Sequence, residues 1–458
     1  MYNRFAIEHL NQWLTKSNRK PLVIRGARQV GKTELVRLFC QQADLNLIEI
    51  NLEEQQISEF EKESSFDIDR ALSEIYALTG QQVTDKSLLF IDEIQESNKA
   101  YNRLRFFKEQ KPNIPLIAAG SLLEVELKKS KQSAPVGRLE FLFLGPMTFA
   151  EFLVAHGQQA LWEQIKTLDF NQQNTIAETV HQKIIGYLRD YFYVGGMPEA
   201  VTAFIEGSRN YDAARSVQNA IMESYRQDVR RYASGKTAKT ILDIFDKMAF
   251  EVGNKVKFSN FSTEKSTYTR EAIDTLDDIY VLQKVYHSNC SGVPIKKGEN
   301  SNVYKIYLLD VGLYNCLMET PLKNIINISE NELLNKGDIA EQFIAQHLYI
   351  NHFTTTRPRL NYWLRDQIPS NAEVDFSTVI DNKITPIEVK AGKTGSIKSL
   401  TRFMYDKKSV TQQAIRYDLA YREQFHENVT FSLKTTEGKG TVTFSLLNKP
   451  LYSVEKLA

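Results

Sequence analysis

Five short, nearly unbroken apolar runs punctuate the first 150 residues: 21–26 (PLVIRG), 46–52 (NLIEINL), 87–93 (SLLFIDE), 114–120 (IPLIAAG) and 138–146 (RLEFLFLGP). A strand that is apolar on both faces has to be covered on both faces. That is the condition of a parallel sheet with crossover helices. The stretches between the runs, 33–42 and 67–78 among them, carry helix-like patterns. This order predicts an open, mostly parallel α/β sheet.

Farther along, the pattern changes. Phe152, Leu161, Trp162, Ile165, Ile184, Ile185, Leu188 and Tyr191 recur at helical spacing through residues 150–235, interrupted by a GGMP turn at Gly195–Pro198. Residues 237–310 read as a winged helix. One amphipathic helix runs through Ile241, Leu242, Phe245, Met248 and Val252, and a second from about Tyr268 to Ile279. Two strands follow (281–289 and 303–310), joined by a polar wing at 291–300. The last 130 residues open with an amphipathic helix, Asp338–Leu348. A hairpin of 373–380 and 384–390 follows, with Asp381, Asn382 and Lys383 supplying its turn.

Length and composition narrow the field. The 458 residues suggest about three domains. Fifty-seven Lys and Arg against 56 Asp and Glu leave a net charge of +1, so no global field drives the chain onto nucleic acid or anionic membrane. Cys40, Cys290 and Cys316 are too few and too scattered for a disulfide framework or a four-thiolate zinc site. No run approaches the roughly 18 apolar residues that span a bilayer, and the first sixteen residues lack the apolar core of a secretion signal. The expectation is a cytoplasmic protein with no membrane partner.

The strongest chemical signal is Gly26-Ala27-Arg28-Gln29-Val30-Gly31-Lys32-Thr33, a GxxxxGK[ST] loop between an apolar run and a helical one. Its glycines let backbone N–H groups curl around phosphate oxygens, and the helix that follows aims its positive end at them. Lys32 is then placed for the β- and γ-phosphates, and the Thr33 hydroxyl for Mg²⁺. The second signal is Leu88-Leu89-Phe90-Ile91-Asp92-Glu93, which sets two acids at the end of a buried strand. Asp92 is expected to hold Mg²⁺ and Glu93 to polarise an attacking water, a pairing that favours hydrolysis. Ser121, after the strand ending at Gly120, either bonds the γ-phosphate or the attacking water or simply makes a turn. Arg138, which follows a basic loop containing Lys128, Lys129 and Lys131, is either an arginine finger, in cis or in trans, or an ordinary surface arginine.

These residues resemble those of an AAA-type P-loop ATPase with its Walker A and Walker B motifs. The closer resemblance is to a bacterial and archaeal group of AAA-family proteins with an uncharacterised C-terminal module. It rests on GARQVGKT, LLFIDEIQ, Gly120-Ser121, Gly137-Arg138, LGPMTFAEF (144–152), GGMPEAV (195–201), KIYLLDVGLYN (305–315), GDIAEQFIAQHL (337–348) and YWLRD…EVDF…IEVK (362–390). The resemblance implies ATP and Mg²⁺ as ligands. The second sensor arginine of ring-forming relatives has no clear counterpart, so oligomer formation stays open. The expected organisation is an AAA-type domain at 1–155, a helical linker or lid at 156–235, a winged-helix-like domain at 236–320 and a nuclease-like α/β domain at 330–458.

That last expectation comes from acidic residues. Strand alternation puts Glu373 and Asp375 on one face and Glu388 with Lys390 on one face, leaving Val374, Phe376, Ile387 and Val389 for an apolar face. With Glu341 upstream, Asp375, Glu388 and Lys390 resemble the site of the PD-(D/E)xK nuclease fold, in which acids bind Mg²⁺ and a lysine steadies a phosphate or hydroxide. Between Lys383 and Lys408 seven basic residues (383, 390, 393, 398, 402, 407, 408) face two acidic ones, a local +5 suited to a polyanion. The expected recognition helix points the other way, since Arg270 is outnumbered by Glu271, Asp274, Asp277 and Asp278. Lys296 and Lys297 in the wing remain available to touch a nucleic-acid backbone. Three functions follow: an ATPase switch acting on DNA or RNA, an ATP-dependent switch that recognises a protein partner through an idle module, and an ATP-gated, Mg²⁺-dependent nuclease.

Overall fold

In the computed structural model the described residues are 2–63, 65–130, 137–322, 337–350, 356–365, 371–390, 397–435 and 438–456. They divide into two compact units. The first is Met1–Met147 joined by Asp274–Val281 and His352–Pro358; the second is Thr148–Ile273, Leu282–Asn351 and Arg359–Ala458.

The first unit is built on five parallel strands: β1 (Leu22–Arg25), β2 (Asn46–Asn51), β3 (Ser87–Asp92), β4 (Leu116–Gly120) and β5 (Glu140–Phe143), in the order β2-β3-β4-β1-β5. β3 and β4 are buried along their whole length. Val23, Ile48, Ile50, Leu89, Ile91 and Ala118 pack against Ile75, Leu104 and Phe107 of the covering helices. The expected parallel sheet is present, with a shorter fifth strand that stops before Gly145-Pro146. Leu144 N–H still donates to Arg25 O (2.8 Å), which draws the chain after β5 against the chain after β1. Gly26 has φ +145°, and a Cβ there would lie 2.0 Å from Leu144 O, so only glycine fits where the loop leaves β1. Residues 274–281 complete this unit. The Tyr280 hydroxyl donates to Glu124 (3.1 Å), and Asp278 pairs with Lys128.

The second unit holds an eight-stranded sheet of β6 (Leu282–Ser288), β7 (Glu299–Leu308), β8 (Leu360–Arg365), β9 (Ala372–Ile380), β10 (Lys383–Val389), β11 (Gln413–Asp418), β12 (His426–Thr435) and β13 (Gly438–Pro450). The order is β12-β13-β11-β10-β9-β8-β6-β7. This corrects the expectation of a winged-helix domain standing apart at 236–320. The strands assigned to its wing are the edge of the C-terminal sheet, because β6 pairs with β8 through Val285↔Leu360 and His287↔Tyr362. The physical reason is that β6 is mostly buried. A lone hairpin cannot bury both faces and both edges of such a strand, so it needed a second neighbour. The helices expected around it are there, at Gly235–Lys247 and Ser266–Asp278.

The β9–β10 hairpin turns through Asp381 (φ +48°) and Asn382 (φ +59°), the left-handed pair that a tight two-residue turn requires. The expected alternation along β9 fails beside it. Its pairing with β8 shifts register between Asn361 and Trp363, so Asp375 and Phe376 together oppose one residue. As a result Val374 joins Trp363, Phe403 and Leu446 in an apolar cluster under the helix Lys398–Asp406, while Phe376 packs on Tyr307 (5.5 Å).

Several sequence motifs turn out to be buried polar joints. Gly195 (φ +72°) leaves room for Asp310, whose carboxylate accepts from Gly196 N (2.6 Å) and caps the helix Val311–Leu317 through Gly312 N and Leu313 N (2.9 and 3.0 Å). GGMP and LLDVG are therefore two halves of one knot. The Gln342 side chain exchanges bonds with Leu308 N (2.9 Å) and Leu308 O (2.8 Å), which fixes the helix Gly337–Ile350 to β7. Thr148 and Glu151 form a capping box on the helix Phe149–Ala155, whose Ala150 N–H donates to Glu455 (2.9 Å).

Burial pushes Glu455 up to about 8. A carboxyl whose folded value is raised adds stability at low pH, and that stability is lost as pH rises toward the folded value. Stability should therefore fall between the ordinary 4.5 and about 8, by up to about 1.4 kcal/mol per pH unit. Urea midpoints measured from pH 5 to 8.5 should show this slope in the wild type and a clearly flatter one in Glu455→Gln. An unchanged slope in the variant would contradict the assignment.

Candidate functional site

All five strands of the first sheet run the same way, so the loop after β1 and the acids after β3 emerge at one edge. This is the edge where open parallel sheets bind ligands. Gly31 caps the helix Lys32–Gln42 in the left-handed conformation. The Lys32 side chain curls back into the loop, and its ammonium donates to Ala27 O (2.8 Å) and Gly26 O (3.2 Å). Burial draws Lys32 down to about 8, against the opposing pull of Glu93 and Asp92. Thr33 Oγ1 donates to Asp92 Oδ2 (2.6 Å), and Glu93 N–H donates to Asp92 Oδ1 (2.9 Å). Burial raises the Asp92 carboxyl above its ordinary range, and the Thr33 bond opposes that shift.

Glu93 sits at φ +52°, a left-handed position that costs a non-glycine residue about 1–2 kcal/mol. The sharp turn takes its carboxylate off the line of β3, where Gln95 Nε2 holds Oε2 (2.6 Å). Gln95 in turn lies against the end of β4, where a Cβ on Gly120 would come within 2.5 Å of its Oε1. Ser121 follows directly and is buried, with a hydroxyl that has no hydrogen-bond partner among the described residues.

Two residues at this site escaped the sequence reading. Gln95 lies inside the quoted LLFIDEIQ, two positions past Glu93, and a glutamine directly behind a strand-end acid was the available signal. Arg4 gave none, since it stands in no motif. Its buried guanidinium donates to Val30 O (2.9 Å) in the phosphate loop and to Gly145 O (2.8 Å) and Pro146 O (3.3 Å), which clamps the loop to the turn after β5.

Arg138 is not brought to this edge. It precedes β5, whose first residue pairs with Leu22 at the start of β1, and its Nε lies 3.3 Å from Glu109. About four residues of strand, at roughly 3.3 Å each, separate it from the loop. The reading of Arg138 as a finger acting in cis is therefore corrected: the residue opens its strand, whereas the phosphate edge is where strands end. Lys131 of the adjoining basic loop lies outside the described residues, as do Lys393 and Asp366.

In the second unit Glu341, Asp375, Glu388 and Lys390 do come together, joined by Lys305, Tyr307 and Glu373. Lys390 pairs with Glu388 Oε1 (2.5 Å). Asp375 Oδ2 accepts from Val389 N (2.8 Å). Lys305 contacts Glu373 (2.5 Å) and Glu341 (3.2 Å), and the Tyr307 hydroxyl also donates to Glu341. Enclosure, with Glu341 and Glu388 beside it, holds Asp375 well above the usual carboxylate range, and burial raises Glu388 as well. Of the expected recognition helix, Asp277 and Asp278 are spent on pairs with Arg357 and Lys128.

The sequence profile of an AAA domain matches residues 18–153. Profiles of two domains of unknown function match residues 185–324 (DUF8612) and 336–434 (DUF4143). The first unit thus contains an AAA domain, in agreement with its parallel sheet and phosphate loop. No curated protein matches the chain. Among solved structures, the Aeropyrum pernix ORC2 protein in ADPNP–ADP complexes aligns at 14% identity, covering 71% of this chain and 95% of that one, with a TM-score of 0.36. The Thermotoga maritima RuvB Holliday junction branch migration motor aligns at 14% identity over 62% and 90%, with a TM-score of 0.27. The Aeropyrum pernix ORC1 protein in complex with DNA aligns at 14% identity over 70% and 94%, with a TM-score of 0.25. Likenesses this loose locate nothing on the chain. No described helix is long and apolar enough to cross a membrane.

Replacing Arg4 by Ala strands three backbone carbonyls, which should cost about 2–3 kcal/mol of stability. It should also weaken ATP binding about tenfold by loosening the loop, as read by calorimetry, with Arg4→Lys recovering part of the loss. Undiminished affinity in Arg4→Ala would show that the clamp does not position the loop.

Proposed function

We propose that this chain binds ATP in the Gly26–Thr33 loop and hydrolyses it with Mg²⁺, and that its nucleotide state controls the C-terminal module. The contact between Thr33 and Asp92, with Lys32 and Glu93 beside it, carries the reading. Backbone N–H groups of Gly26, Ala27, Arg28, Gln29, Val30 and Gly31 would cradle the phosphates. Lys32 would exchange its two carbonyl partners for β- and γ-phosphate oxygens. The hydroxyl of Thr33 and the carboxylate of Asp92 are hard oxygen donors already within 2.6 Å of each other, a set suited to Mg²⁺. When bound there, the ion neutralises phosphate charge. Glu93, oriented by Gln95, takes the proton of the attacking water, and Ser121 offers its unpaired hydroxyl to the γ-phosphate. With Arg138 at the far edge of its own sheet, a second copy of the chain is the remaining source for that arginine, which makes an oligomer part of this proposal.

The client of the module is DNA or RNA in this reading, drawn by the basic residues that follow β10. A protein client is the second reading. It is favoured by the near-zero net charge of the chain and by the helix Ser266–Asp278, on which Glu271, Asp274, Asp277 and Asp278 outnumber Arg270.

ATP turnover should vanish in Lys32→Ala. Glu93→Gln should keep ATP affinity and lose at least about 100-fold in kcat. Capture on Glu93→Gln loaded with ATP, followed by nuclease treatment, should identify the client as nucleic acid or protein. Normal turnover in Glu93→Gln would remove the assigned base, and turnover in Lys32→Ala would remove the site.

A further inference from the structure

We infer that the carboxylate cluster of the second unit carries its own cation: the Lys305 ammonium supplies the positive charge that a nuclease-like site draws from a divalent ion, and the module binds without cutting.

The argument begins with what a lysine is doing there. Lys305 lies in the middle of β7, opposite Val285 of β6, and its side chain is 1% exposed. A buried ammonium is tolerated only when paired. Lys305 is paired twice, with Glu373 Oε1 at 2.5 Å on β9 and Glu341 Oε1 at 3.2 Å on the helix Gly337–Ile350. The Tyr362 ring lies 5.2 Å from the same ammonium. Tyr307, two residues along β7, donates to the same Glu341 oxygen. Asp375 adds a third carboxylate beside Glu341 and Glu373 in the electrostatic surroundings of this ammonium.

Asp375 and Glu388 each have one oxygen engaged as well. Lys390 covers Glu388 Oε1, and Val389 N–H covers Asp375 Oδ2. Glu388 Oε2 is buried without a hydrogen-bond partner. A divalent ion bound here through Glu341, Glu373 or Glu388 would have to displace Lys305 or Lys390 from the oxygen that each holds. Among the described residues no group of three His, Cys, Asp or Glu side chains is arranged to hold a metal. A dication entering beside Lys305 would meet a like charge in a poorly solvated place, where repulsion is strong. The residues that resemble a nuclease site therefore do not fit its metal. Metal-assisted phosphodiester cleavage has no footing here, and Lys305 and Tyr307 act as positioning residues for Glu341.

The test is Mn²⁺ titration of the full chain without nucleotide, with free Mn²⁺ read by its electron paramagnetic resonance signal. The wild type should bind no ion at this cluster up to about 1 mM. Lys305→Met should gain one Mn²⁺ per chain with at least about tenfold tighter affinity, and adding Glu341→Gln should abolish the gain. Lys305→Arg should behave as the wild type. A folded Lys305→Met that gains nothing would overturn the proposal. If Lys305→Met does not fold, comparison of the wild type with Asp375→Asn decides. Equal Mn²⁺ binding supports a self-neutralised cluster, and Mn²⁺ bound by the wild type but lost in Asp375→Asn overturns it.

Discussion

One hydrogen bond ties the chemistry of the first unit to its fold: Thr33 Oγ1 to Asp92 Oδ2, at 2.6 Å. It joins the first turn of a helix that follows β1 to the last residue of β3, two strands away across β4. That contact exists only because every strand of the sheet runs in the same direction, and the direction follows from strands apolar on both faces that require helical crossovers. Gly26 brings the loop close against Leu144, and Arg4 clamps Val30 to the turn after β5. The loop is thus held from both sides before any phosphate arrives.

The second unit is governed by a different constraint, the need to satisfy polar groups inside a wide sheet. Asp310 ties the Gly195-Gly196 turn to the start of the helix Val311–Leu317, Gln342 locks a helix to β7, and Glu455 and Glu151 serve the helix that begins after Thr148. Each joint is nearly neutral in charge or hydrogen-bonded on most of its atoms, as burial demands. The cluster around Lys305 obeys the same rule on a larger scale. Lys305 and Lys390 each pair with its acids, so the cluster brings its own positive charge to residue types that resemble a metal site.

What the sequence disclosed divides along the same line. The meeting of the Gly26–Thr33 loop with the Asp92-Glu93 pair was legible because each is written in consecutive residues after an apolar run, and the β9–β10 turn because Asp381 and Asn382 are adjacent. That Arg138 lies away from the phosphate edge of its own sheet was also legible: it opens a run, whereas the loop and the acids lie where runs close. The pairing of β6 with β8 was not legible, since strand partners distant in sequence leave no local trace. The bulge that turns Asp375 and Phe376 out of alternation was equally silent. Lys305 was visible as a charge in the middle of the apolar strand VYKIYLLD, but its meaning required Glu341 and Glu373 from two other elements.

The most direct measurement of the central claim is a calorimetric titration of the full chain with ATP, with and without Mg²⁺, in the wild type and in Asp92→Asn. The account predicts one ATP per chain, bound more tightly with Mg²⁺ than without it, and a loss of that Mg²⁺ dependence in the variant. No heat in the wild type, or the same Mg²⁺ dependence in both proteins, would contradict it.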